Sequence, residues 1–197
     1  MSRRSFLGAA AALVGGFALA GCDAQGPKFK NTDVTGVDWG REFALTGHDG
    51  KPRTLADFRG KVVVLAFGFT HCPDICPTTL SELRQAKANL GGDAARMQVL
   101  FMTLDPERDT QSVLAQYVPA FDPEFLGLYG DLDATARTAK EFKVFFQKSP
   151  GQVPGAYAID HSTVSYVIDP HGRLRLVVAH NQLSTVVDDI RTLLKGG

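Results

Sequence analysis

The 197-residue sequence predicts an α/β fold in which helices cover both faces of a mixed sheet. Three observations predict it. Residues 61–68 (KVVVLAFG) and 97–104 (MQVLFMTL) are near-continuous apolar and β-branched runs, the composition of strands buried on both faces. A helical pattern lies between them, so the two strands join through a crossover and run parallel. Two further β-rich runs near the C-terminus flank Asp169-Pro170-His171-Gly172, a turn signal that closes a hairpin and adds antiparallel strands.

Residues 42–46 predict a short strand, and His48-Asp49-Gly50-Lys51 a turn before the mixed stretch ending at Phe58. Pro77 suits a first helical turn just after Cys76. Leu80, Leu83, Ala86 and Leu90 then recur at helical spacing until Gly91-Gly92 stops the helix. Residues 110–117 predict a second helix. A third has Asp133 as N-cap and runs to Phe142, with Leu132, Ala136, Ala139 and Lys140 in its register. The hairpin strands are 163–168 and 173–178, and Ser184 caps a last helix through Val186, Val187, Ile190, Leu193 and Leu194. This alternation is a thioredoxin-like layout, and open sheets of this kind place ligands at the C-terminal ends of their strands.

Lys plus Arg and Asp plus Glu each number 21, for zero net charge. With no basic run there is no phosphate-neutralising footprint, and nucleic-acid binding is set aside. An apolar content of 44% excludes wholesale disorder.

The N-terminus differs in composition from the rest. Arg3 and Arg4 precede an uncharged apolar run over residues 6–20. At 1.5 Å per residue that run reaches about 22 Å, short of the roughly 30 Å hydrocarbon core, so residues 1–21 read as a signal peptide. Residues 2–7 resemble the twin-arginine export motif, and Leu19-Ala20-Gly21-Cys22 resembles the bacterial lipobox, whose cysteine takes the lipid. Asp23 resembles a signal for retention at the inner membrane. Residues 22–37 are therefore read as a lipidated cysteine and tether, and 38–197 as the folded domain. The expected place is the periplasmic face of the bacterial inner membrane. In that oxidising compartment thiols cross-link, bind metal or are kept reduced for chemistry.

Of the three cysteines, Cys22 is assigned to lipid, which leaves Cys72 and Cys76. They lie in Gly68-Phe69-Thr70-His71-Cys72-Pro73-Asp74-Ile75-Cys76-Pro77, a strand-to-helix turn where the helix N-terminus favours thiolate. A thiolate is both a nucleophile and a soft-metal ligand, so redox exchange and copper binding both fit. Three intervening residues distinguish the pair from the CxxC of ordinary thiol oxidoreductases. A purely structural disulfide fits poorly, because so short a loop gains little from cross-linking.

Residues 69–80 (FTHCPDICPTTL) resemble the signature of the Sco (SenC) family of copper chaperones for cytochrome c oxidase. Residues 55–63 lead into it as in that family. Asp105-Pro-Glu-Arg-Asp-Thr110 resembles its second block and Tyr157-Ala-Ile-Asp-His-Ser162 the block carrying its histidine ligand. The resemblance implies that Cys72, Cys76 and His161 are copper ligands, the thiolates selecting Cu(I) and the imidazole admitting Cu(II). Sequence alone does not single out His161 among five histidines.

The implied activity is delivery of copper to the dinuclear copper A centre, by exchange of Cys72 and Cys76 for thiolates of the acceptor. The implied partners are the copper-site subunit of cytochrome c oxidase, a periplasmic copper donor and the membrane through the lipid anchor. The chain itself is expected to be a monomer. An alternative is a dedicated thiol-disulfide reductase in which Cys72 and Cys76 are catalytic, keep the acceptor cysteines reduced, and leave His161 dispensable. A peroxidase reading lacks its partner set, and Trp39 is the only tryptophan.

Asp74 and Asp160 are candidates for supporting the metal site, Asp74 also for capping the following helix. His71 is expected to point away from the thiols, and His48, His171 and His180 to lie at the surface. The 105–109 block fits either partner docking or a loop ending in a helix cap. Phe69 stands where the family commonly has Tyr.

Overall fold

The computed structural model describes residues 26–151 and 156–196; the expected signal peptide and Cys22 lie outside them. At the centre is β4 (Val62–Gly68), buried at all seven positions. It pairs in parallel with β5 (Met97–Thr103), from Val62 opposite Met97 to Gly68 opposite Thr103, and antiparallel with β9 (Val164–Ile168). The crossover between β4 and β5 is α1 (Ile75–Asn89), whose buried face carries Cys76, Thr79, Leu80, Leu83 and Ala86. The β-branched run and helical spacing therefore form the expected parallel unit. Asp169 closes the hairpin from β9 to β10 (Leu174–Ala179), its Oδ1 accepting from His171 N at 2.9 Å and Arg173 N at 3.0 Å.

Three further strands complete the eight-stranded sheet on the β5 side. These are β2 (Ala44–Gly47), β3 (Pro52–Thr54) and β6 (Leu126–Tyr129); with β1 (Thr32–Asp33) at the far edge the order is β1-β10-β9-β4-β5-β6-β2-β3. The sequence predicts no strand at β6. Four residues are too few to show a period, and pairing with β5 is what fixes them. A separate antiparallel pair is formed by β7 (Phe146–Pro150) and β8 (Tyr157–His161), likewise without a counterpart among the expected elements.

Helix α2 (Gln111–Tyr117) follows its N-cap Thr110, the first residue of the expected helix. The third, α3 (Leu132–Glu141), is capped by Asp131 and not by Asp133: the Asp131 carboxylate accepts from Ala134 N at 2.7 Å. Its buried face is Thr135, Thr138 and Ala139, while Leu132 is 58% exposed and Ala136 and Lys140 are exposed too. Threonine methyl groups fill this face, which a reading that counts threonine as polar assigns to the wrong side. Nor does Ser184 cap the last helix. It lies within a 3₁₀ turn, His180–Thr185, that runs directly into α4 (Val186–Leu194), where Leu183 O takes the Val186 amide.

The expected tether also ends early. The buried Asp189 carboxylate of α4 accepts from Lys30 N (2.8 Å), Asn31 N (3.0 Å) and Asn31 Nδ2 (2.7 Å). Beyond it, β1 (Thr32–Asp33) pairs with β10 at the sheet edge. A polar segment reads as a solvated tether, but here one carboxylate satisfies its donors and docks it. Asp189→Ala leaves the Lys30 and Asn31 amides unpaired, while Asn31 Nδ2 keeps Thr185 Oγ1 at 3.1 Å, and is expected to destabilise the fold by about 3 kcal/mol, at 1–3 kcal/mol per buried unsatisfied group. Urea unfolding measures this, and an unchanged midpoint would show that the strap adds nothing.

Candidate metal centre

The chain leaves β4 at Gly68, where a Cβ would stand 2.7 Å from Cys76 Sγ and 2.8 Å from the Phe101 ring. Only glycine lets the thiol of α1 lie against the strand end. The loop from Phe69 to Asp74 then turns back, with Cys72 N donating to Phe69 O at 3.2 Å. Cys72 is half-buried and Cys76 is 3% exposed.

Their environments push the two acidities apart. The Cys76 thiol donates to the Cys72 sulfur, and the amides of Cys76 (3.4 Å) and Asp74 add to it. Against the opposing effect of burial, these bring Cys72 down from 9.0 to about 5. Cys76 is pushed up, because its proton is held by Cys72 and because it is buried. Metal-free, the pair at neutral pH is thus one thiolate and one thiol.

His161 ends β8, and its Nε2 lies 3.9 Å from Cys76 Sγ. Its Nδ1 is 2.8 Å from Ser162 O, so Nδ1–H donates there and the Nε2 lone pair faces the thiols. The ring stands edge-on to Phe69, with centroids 6.0 Å apart. With bonds of about 2.3 Å to sulfur and 2.0 Å to imidazole, an ion bound by both needs them roughly 3.5–4.3 Å apart. The observed gap falls inside that range. Among the described residues no three His, Cys, Asp or Glu side chains already form a metal cage, and Cys72 lies on irregular chain outside α1.

The cysteine loop and the β7–β8 pair that carries His161 are joined by residues 105–109. Asp109 is fully buried and accepts from Thr70 N (2.8 Å), Thr70 Oγ1 (2.6 Å) and Thr103 Oγ1 (2.6 Å). Asp105 accepts from Tyr157 Oη at 2.9 Å and pairs with Arg108. Arg108 Nη1 in turn donates to Tyr157 O at 2.9 Å, and its guanidinium lies 3.7 Å from the Tyr157 ring centroid. Thr110 does cap α2, but the two acids and Arg108 tie the cysteine loop and the histidine hairpin to one strand end. Sequence reasoning misses this role. Two acids bracketing an arginine after a buried strand are its visible signal, yet Thr70, 39 residues upstream, carries no mark of the pairing.

The supporting candidates divide. Asp74 takes the N-cap position of α1 without a side-chain cap bond, and its amide, not its carboxylate, serves Cys72. Asp160 is exposed and alternates away from His161 along β8, so it does not orient the ring; the Ser162 carbonyl does. His71 is 56% exposed, beside Asp109 at 3.8 Å and off the thiols. His171 is exposed as expected. Two other histidines expected at the surface are half-buried and structural. His48 Nδ1 accepts from Gly127 N at 2.9 Å, and His180 Nδ1 is 3.0 Å from Thr79 Oγ1, one turn beyond Cys76.

The family model described as SCO1/SenC matches residues 31–195, which begin where Asp189 pins the chain. The chain belongs to the SCO1/SenC family. It is 41% identical over 133 residues to the mouse protein SCO2 homolog, mitochondrial, a match covering 66% of this chain and 52% of that one. The Sco chain thus spans about half the length of such relatives. Among solved structures, apo Sco1 from Thermus thermophilus aligns with a TM-score of 0.76 and 42% identity, over 85% of this chain and 98% of that one. Bradyrhizobium japonicum ScoI with copper bound aligns with a TM-score of 0.71 and 34% identity, over 78% and 98%. The thioredoxin-like layout agrees with these Sco neighbours.

Alkylation kinetics test the electrostatics of this Sco centre. A lowered pKa means thiolate is present above about pH 5 and is lost below it. Iodoacetamide should therefore modify Cys72 of the reduced chain at a rate that rises through pH 5 and is flat by pH 7. A midpoint near the ordinary thiol value of about 8.5 would refute the arrangement.

Proposed function

We propose that this chain is a membrane-tethered periplasmic copper carrier that delivers copper to the dinuclear copper A centre of cytochrome c oxidase by thiolate exchange. The observation that carries the reading is the 3.9 Å approach of His161 Nε2 to Cys76 Sγ beside the Cys72 thiolate. Two thiolates select Cu(I), and the imidazole extends the set to Cu(II). A copper-bound relative of the same fold supports the choice of metal.

In this reading residues 1–21 are removed, Cys22 is acylated, and the tether is the short stretch before Lys30. A periplasmic donor loads the copper, and the carrier works as a monomer. Half-exposed Cys72 meets the acceptor first: an incoming thiolate bonds the ion, Cys72 leaves, and buried Cys76 is displaced last. No charge is created or lost overall, because each departing thiolate is replaced by another.

The asymmetry of the pair favours a second reading, a thiol-disulfide reductase for the acceptor cysteines. The Cys72 thiolate would attack an acceptor disulfide and release one acceptor thiolate. Cys76, once deprotonated, would then attack the mixed disulfide, leaving a Cys72–Cys76 disulfide and a reduced acceptor.

Copper titration separates the two. The reduced chain lacking residues 1–21 should bind one equivalent of Cu(I), and Cys72→Ser or Cys76→Ser should each abolish it. His161→Ala should lose the Cu(II) spectrum while leaving disulfide reduction intact. Unchanged stoichiometry in either serine variant would end the carrier reading.

A further inference from the structure

A metal takes the thiolate and never the thiol, so loading this centre costs Cys76 its proton. That proton sits deep. Cys76 is 3% exposed, and its S–H donates to Cys72, whose sulfur holds it. Once Cys72 gives its lone pair to an ion the hold is lost, and the proton has to leave. His161 Nε2, 3.9 Å from the sulfur, is not free to take it, because the same ion needs that lone pair. A second way out is required.

The structure offers one along α1. Cys76 and Thr79 both line a cavity of about 10 Å³ between α1, β4 and β9. Roughly 10–15 Å³ of such space holds one water. Positions three apart on a helix are neighbours, their Cβ atoms roughly 5–6 Å apart, a gap that one water spans. Thr79 Oγ1 in turn lies 3.0 Å from His180 Nδ1. This contact does more than pack the 3₁₀ turn His180–Thr185 onto the helix. Thr79 is buried, whereas His180 is half-buried and stands at the outer end of the path. Its backbone N–H donates to Thr163 O at 3.1 Å, which fixes the ring's base at the start of β9. The acids on the helices packed against its turn are Glu82 of α1 and Asp188 and Asp189 of α4. Among the described residues none forms an ion pair with His180, so a proton arriving there is passed on and not trapped.

We propose that Thr79 and His180 form a relay that carries the Cys76 proton to solvent when copper binds. The inference rests on the carrier reading and deepens it. At rest the Thr79 hydroxyl donates to His180 Nδ1, leaving its oxygen lone pairs for the cavity. As the S–H bond breaks, its proton passes through the water to Thr79 Oγ1. The threonine's own proton passes to Nδ1, and the imidazolium gives up its Nε2 proton to solvent. The sulfur keeps the electron pair and donates it to Cu(I), so nothing is oxidised or reduced. Neither residue touches the ion; both act through Cys76.

A relay sets how fast the proton moves and leaves the end states where they were, so rate and affinity separate. The test mixes the reduced, metal-free chain lacking residues 1–21 with Cu(I) held by bicinchoninate, followed by stopped-flow absorbance at neutral pH. Thr79→Val and His180→Ala should each slow loading about tenfold or more, below the 100-fold or more typical of a direct general base. Both should leave the Cu(I) affinity unchanged, and Thr79→Ser should restore the rate. Urea midpoints verify folding; should His180→Ala fail to fold, the Thr79→Val and Thr79→Ser pair decides. Loading at the wild-type rate would overturn the relay, and so would affinity falling in step with rate, the mark of a structural role. A wild-type chain that takes up no Cu(I) would overturn the carrier reading instead. The relay is then judged on the His161→Ala chain by closure of the Cys72–Cys76 disulfide with glutathione disulfide. There the Cys72 thiolate displaces one glutathione, and Cys76, losing its proton by the same path, displaces the second. Thr79→Val should slow that second step, and an unchanged rate would overturn the relay.

Discussion

The Asp109 carboxylate lies wholly inside the protein, where an uncompensated charge would cost several kcal/mol. Three donors offset that cost, and two of them belong to Thr70, two residues before Cys72. The third, Thr103 Oγ1, ends the strand paired with β4. The carboxylate thus converts the fixed end of a buried sheet into a fixed origin for the cysteine loop. Asp105 and Arg108, a few residues away, extend the same anchorage to Tyr157 and so to the strand carrying His161. Two segments 85 residues apart reach one place because both are tied to the 105–109 segment at the end of β5.

From that origin the two sulfurs acquire different characters. Cys76 is pressed against Gly68 and Phe101, out of water, on a helix whose remaining buried face locks it in place. Cys72 lies on irregular chain at the helix mouth, receiving the amides that a first helical turn leaves unpaired. A rigid, reluctant donor beside an accessible, charged one suits an ion that must be held and then surrendered. The imidazole joins the rigid side, its tautomer set by the Ser162 carbonyl.

Whether an element is legible in the sequence depends on where its physical signal resides. The buried strands β4 and β5 and helix α1 announce themselves through composition and period, because their neighbours bury them on every side. Placing the thiols at a strand-to-helix turn requires nothing more. The face of α3 is hidden because two of its three buried positions are threonines, and the docked strap because its backbone amides find a carboxylate 158 and 159 residues away. His161 enters through resemblance alone. No local pattern marks a side chain whose purpose is set by distant chain, and Asp109 reads equally as docking element or cap for the same reason. Interactions local in sequence are legible in it; those that assemble the centre are not.

Copper binding and disulfide exchange draw on the same two sulfurs, so they exclude one another at any instant. A Cys72–Cys76 disulfide removes both thiolates and leaves one imidazole, too weak a set to retain Cu(I). Bound copper, conversely, occupies the lone pairs that Cys72 would need to attack a disulfide. The two proposed activities are therefore successive states of one site, reductase when empty and carrier when loaded, with the ambient redox poise deciding which is populated. His161 biases that choice. In the proposed carrier it would add a ligand to the loaded state and nothing covalent to the disulfide, so its approach to Cys76 would favour metal retention over oxidation.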